Sequence, residues 1–168
     1  MAVLAERHMD RSSGTGIEGM PSPNWFERYS EGRRAEVWRE LRQLGVGIRD
    51  SGFAAEAQLV CDEMAGRARR NVDVIVERLS DAGYRFHTND DAQEPVVPHV
   101  PPTADAPMLA AWLEEQFGAV PMTLLSWLRI VGDVWLVGTH PEWLTTASAD
   151  PLVIEIEGSR YSDSPRIY

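Results

Sequence analysis

From Phe53 to Leu79 apolar residues recur at three- and four-residue steps, through Ala57, Val60, Cys61, Met64, Ala68, Val72, Ile75 and Val76. That spacing lines one face of a helix and predicts a long amphipathic element ending at Gly83. Gly66 is its weak point, costing about 1 kcal/mol relative to Ala in a helix interior, so one long helix and two abutting ones both stay open. Upstream, Asn24 reads as an N-cap, with Trp25, Tyr29, Val37, Trp38, Leu41 and Leu44 near one helical face and Gly45 as the stop. Residues 1–23 have the Gly and Pro content of a disordered leader.

After the helical half the pattern changes. Residues 84–87 (YRFH) alternate apolar and polar, as a short half-buried strand does. Pro95, Pro98, Pro101 and Pro102 then favour extended backbone, so residues 88–105 read as a stiff connector rather than a Pro-rich recognition motif. Thr103 or Asp105 caps a helix with Pro107 in its first turn and an apolar stripe of Leu109, Trp112, Leu113 and Phe117, closed by Gly118. A further helix runs from Pro121 through Leu124, Leu125, Trp127, Leu128 and Val131 to Gly132. Residues 134–137 (VWLV) predict a buried central strand, and 138–151 return to loop composition. In the last predicted strand Leu152, Ile154 and Ile156 face inward, while Val153, Glu155 and Glu157 face outward.

The 168 residues hold 16 basic and 26 acidic side chains, a formal −10. Residues 1–84 carry 12 Arg against 14 acids, and residues 85–168 carry 4 Arg against 12 acids, so the excess belongs to the strand-bearing half. This balance argues against nucleic acid and anionic membranes as partners, since both demand a positive surface. Cys61 is the only cysteine, which points to a reducing compartment. With neither a secretory signal pattern nor an apolar run long enough for a membrane span, a cytoplasmic location is expected.

Chemistry-bearing residues are sparse. His8, His87, His99 and His140 lack metal-site spacing, so His87, His140 and Asp150 are better read as hydrogen-bonded surface groups than as metal ligands. No nucleophile elbow exists, and Cys61 lies on an apolar helix face where its thiolate is disfavoured. Glu155 and Glu157 share a strand face, an arrangement better read as solvated surface than as an acid and base pair. Arg67, Arg69 and Arg70 form a basic cluster among Asp62, Glu63 and Asp73, as on a salt-bridged helix surface. The 138–143 loop (GTHPEW) is the most distinctive, and Trp143 either closes the core edge or anchors a partner. Around it Asp133, Glu142, Asp150, Glu155 and Glu157 are expected to form a negative patch that attracts a basic protein.

Leu109, Leu113 and Glu114 with Phe117-Gly118, then Pro121, Leu124, Trp127-Leu128 and Val131-Gly132, follow a helix, Gly, Pro, helix, Gly, strand order. This order resembles the SMI1/KNR4-like family, the SUKH superfamily, and residues 150–154 (DPLVI) look like its following strand. Residues 69–86 look like the helical extension of a bacterial subset of that family. The resemblance implies an α+β fold with a small antiparallel sheet packed on helices, and a non-enzymatic role without cofactor or metal. Many members are immunity proteins that neutralise toxins by direct binding; others are regulatory or scaffold proteins. The expected organisation is a leader over 1–23, a helical extension over 24–87, a Pro-rich linker over 88–105 and an α+β core over 106–168. That core reads as incomplete, because the family has further strands and a terminal helix. The expected partner is a basic protein, met by Asp133, Glu142, Trp143, Asp150, Glu155 and Glu157.

Overall fold

The computed structural model describes residues 23–143 and 151–155. Apart from Pro23, the expected leader lies outside the described residues, as do Asp150, Ile156 and Glu157. The architecture is α+β, with five α-helices and two small antiparallel sheets among the described residues.

The first helical stretch is two helices, α1 (Trp25–Ser30) and α2 (Arg34–Leu44), where the apolar spacing predicts one. The break falls at Gly32, whose φ of +100° suits glycine and stops the helix. Asn24 sits in the left-handed region with no side-chain cap bond, so it marks the helix start without capping it. The turn folds α1 back, burying Trp25 and Tyr29 with Val37, Leu41, Ala57 and Val60. Glu40 clasps the corner, accepting from Trp25 Nε1 at 2.9 Å and from Arg28 Nη1 at 2.8 Å.

After a 3₁₀ turn over Gly45–Arg49 comes α3 (Ala54–Asp81), a single helix that runs unbroken through Gly66. Its first half covers α1 and α2. Further along, Ala65 and Val72 join a cluster with Val131 and Val134, so helical and strand-bearing halves share an interior. A third cluster of Ala110, Val120 and Leu125 joins α4 (Ala106–Phe117) to α5 (Met122–Ile130).

β1 (Arg85–Phe86) pairs with β4 (Gly138–Thr139), with Phe86 opposite Gly138. In the second sheet β3 (Asp133–Trp135) lies between β2 (His99–Val100) and β5 (Val153–Ile154), in antiparallel register. Val134 therefore occupies the buried central strand that its apolar run predicts.

The strands also depart from expectation in three places. The Pro-rich segment carries β2, and prolines fit there because an edge strand needs only one ladder of donors. β4 falls inside the expected loop; a Cβ at Gly138 would overlap the Arg85 carbonyl oxygen and the Tyr84 ring, so glycine permits the pairing. Leu152 is exposed rather than buried, because β5 is an edge strand that begins only at Val153.

Candidate interaction surface

The 138–143 loop leaves β4 and turns at His140, which is buried. Its Nε2–H donates to the Ala82 carbonyl at 2.6 Å, while Nδ1 accepts the Glu142 N–H at 3.1 Å. This pairing defines the neutral Nε2–H tautomer and holds the ring flat beneath Trp143, with centroids 4.2 Å apart and planes at 19°. Tyr84 stands 6.0 Å from Trp143 and 5.1 Å from Phe86, and its hydroxyl donates to the Leu136 carbonyl. Burial pushes the Tyr84 phenol up from its ordinary value. Trp143 thus covers the core edge while 47% of its surface stays exposed.

The expected acidic patch is assembled only in part. Asp133 is buried, because it opens the central strand β3 opposite Val100, and a buried carboxylate cannot meet a partner. Glu142 is exposed beside Trp143, and Glu155 is exposed just beyond β5. Asp150 and Glu157 lie outside the described residues.

A second surface emerges on the helix for which the sequence predicts an apolar stripe. On α4, Met108 is 66% exposed, Trp112 43% and Phe117 72%, and Leu124 of α5 is exposed as well. Trp112 and Phe117 meet edge to face with centroids 6.1 Å apart. The cause is compositional: residues 106–113 (APMLAAWL) are apolar all round, so when Ala106 and Ala110 turn inward, Met108 and Trp112 turn outward. An apolar helix whose only charges, Glu114 and Glu115, fall near its end was the available signal. No Lys or Arg occurs from residue 86 to 128, a span holding Asp105, Glu114 and Glu115, so the patch has an acidic border in sequence. Exposed aromatics in mutual contact are enriched at protein interfaces.

The remaining reactive side chains are held structurally. His87 Nδ1 lies 2.7 Å from the Thr88 carbonyl, and its Nε2 is buried without a hydrogen-bond partner. Both His140 nitrogens are already bound to backbone, which leaves no lone pair on that ring for the metal reading. Among the described residues no three His, Cys, Asp or Glu groups are placed to hold a metal ion. His99 bridges Asp73 of α3 at 2.9 Å and the Val131 carbonyl after α5 at 2.8 Å. Burial pushes the Cys61 thiol up to about 11, so it stays a thiol at neutral pH. Ser126 is fully buried and donates to Asp62 at 2.6 Å; Asp62 also accepts from Gln58 at 2.8 Å and Arg129 at 3.1 Å. This network latches α5 to α3. In the arginine cluster, Arg67 and Arg70 pair with Glu63, and Arg69 reaches the Ile130 carbonyl.

Comparison with family models, curated proteins and solved structures finds no match for this chain.

Proposed function

We propose that this protein is a non-catalytic protein-binding module that docks a basic partner through the apolar face of α4. The observation that carries the reading is the exposure of Met108, Trp112 and Phe117 on one helix. Apolar anchors supply most of the affinity in protein interfaces, and surrounding carboxylates select partners of opposite charge. Asp105 and Glu115 take that role here, with Glu142 and Trp143 as a second exposed aromatic and acid pair. The partner is a protein with an apolar patch bordered by Lys and Arg. The SMI1/KNR4-like resemblance supports a toxin domain in that place, neutralised by direct contact, with this α+β arrangement as the family's helix-packed sheet. Buried, unpaired Cys61 agrees with a cytoplasmic setting. Among the described residues no helix is long and apolar enough to cross a membrane.

The test is calorimetric titration of the purified protein with the product of the adjacent gene, for wild type and Trp112→Ala. A complex weakened about tenfold or more by Trp112→Ala, at unchanged melting temperature, supports the reading. Absence of a complex, or one indifferent to Trp112, overturns it.

A further inference from the structure

A cleft of about 470 Å³ opens between α3, α4 and α5, on the side of α4 away from Met108 and Trp112. Its volume lies within the range of small-molecule sites. Ala110, Ala111, Met122 and Leu125 give it an apolar floor, and the short alanine side chains are what leave the space open.

Two arginines, Arg49 and Arg129, line the walls, and hydrogen bonds hold both guanidiniums in place. Arg49 donates to Glu114 Oε1 at 2.8 Å and to the Val120 carbonyl. Arg129 donates to Asp62 Oδ1 at 3.1 Å and to the Leu125 carbonyl at 3.2 Å. Each of these bond sets uses two of the five N–H groups a guanidinium carries. Gln58 also lines the cleft, and Asp62 and Ser126 orient its amide nitrogen, each 2.8 Å away. Glu114 answers the charge of Arg49 and Asp62 that of Arg129, so the two arginines and their partners leave no net charge at the cleft, while each guanidinium keeps three N–H groups beyond these bonds.

We infer that this cleft binds a small organic carboxylate with an apolar body. A planar carboxylate can accept from the N–H groups that the two guanidiniums keep beyond their own partners, and the hydrocarbon body covers the alanine and leucine floor. An inorganic oxyanion meets only the first of these demands, and a neutral alcohol only the second.

Titration with hexanoate and phenylacetate, beside hexan-1-ol and inorganic phosphate, tests the inference. Saturable binding of the two carboxylates, with the alcohol and phosphate about tenfold weaker or worse, is expected. Arg129→Met removes a charge from the wall, and Ala111→Phe fills the cleft from an exposed position with both arginines retained. Each substitution is expected to weaken carboxylate binding by about tenfold or more. Equal affinity for hexanoate and hexan-1-ol overturns the inference. So does unaltered hexanoate binding by Ala111→Phe, or the absence of saturable binding by wild type. If Arg129→Met fails to fold, the alcohol comparison and Ala111→Phe decide the matter.

Discussion

Single residues fix the joints of this fold. Gly132, between α5 and β3, has a φ of +88°, and a Cβ there would overlap the Val100 carbonyl oxygen and lie 2.9 Å from Pro102 N. Gly83 has nearly the same φ, +90°, but nothing within 4 Å of the corresponding position. Comparing alanine at each therefore separates backbone strain from steric overlap. Gly83→Ala is expected to cost about 1–2 kcal/mol, from the left-handed backbone alone. Gly132→Ala is expected to cost about 3 kcal/mol or more, read from urea midpoints at constant m-value. Glu40 contributes to the acid limb of stability. The hydrogen bond from Arg28, then that from Trp25, hold its carboxyl at about 2, below the ordinary 4.5. A depressed folded-state value means that this stabilisation is full above the unfolded value and is lost as pH falls through about 2. Arg33 lowers Glu36 and the Thr88 hydroxyl lowers Asp90, so other groups share the window. Melting curves of wild type and Glu40→Gln are expected to converge as pH drops from about 4.5 to 2. A gap that stays constant across that range would show that Glu40 acts through packing instead.

At the level of elements, α3 was the most legible because its apolar spacing repeats over 28 residues, enough turns to dominate local exceptions. Gly66 is one such exception. It sits in a continuous helix where an added Cβ finds its nearest neighbour, Arg70 Nη1, at 3.6 Å, an ordinary contact. Gly66→Ala is accordingly expected to stabilise the protein by about 0.5–1 kcal/mol, seen as a raised urea midpoint; an unchanged or lowered midpoint contradicts this account. The strands were less legible for a physical reason. β1, β2, β4 and β5 are two residues each, too short for alternation to register, and they exist through partners far along the chain. His99 pairs with Val134, and no local property of the Pro-rich segment announces that. The α1 to α2 break was hidden differently, since Gly32 interrupts the backbone while the apolar spacing continues across it. On α4 the inward and outward faces are equally apolar, so periodicity could not tell which would be buried. Trp143 and Glu142 were legible because a loop with Pro, an acid and Trp is unusual in itself; Asp133 was misplaced because an acid beside a strand looks exposed until that strand proves central.

Across the whole molecule, α3 is the spine on which the other parts are hung. It holds α1 and α2 through Ala57 and Val60, β3 through Ala65 and Val72, and α5 through the Asp62 and Ser126 latch. By contrast α4 rests on α5 through Ala110, Val120 and Leu125, and on the 3₁₀ turn through the Arg49 to Glu114 pair. This leaves one side of α4 for the exposed apolar face proposed to dock a partner and another for the cleft. Charge has the same division of labour at this scale. The arginines of residues 1–84 are largely answered by neighbouring acids, whereas residues 86–128 carry acids and no base. Long-range attraction to a basic protein should then set the rate of encounter, and the α4 side chains should set the lifetime of the complex. The two contributions respond to different changes. Raising salt from about 0.05 to 0.5 M shortens the screening length several-fold and is expected to slow association by about tenfold with little effect on dissociation. Trp112→Ala is expected to speed dissociation and leave association nearly unchanged. Stopped-flow Trp fluorescence of the complex, followed across that salt range for both proteins, separates them. Salt-independent association would remove the acidic surface from the encounter, and slowed association in Trp112→Ala at constant dissociation would place the anchoring contact elsewhere.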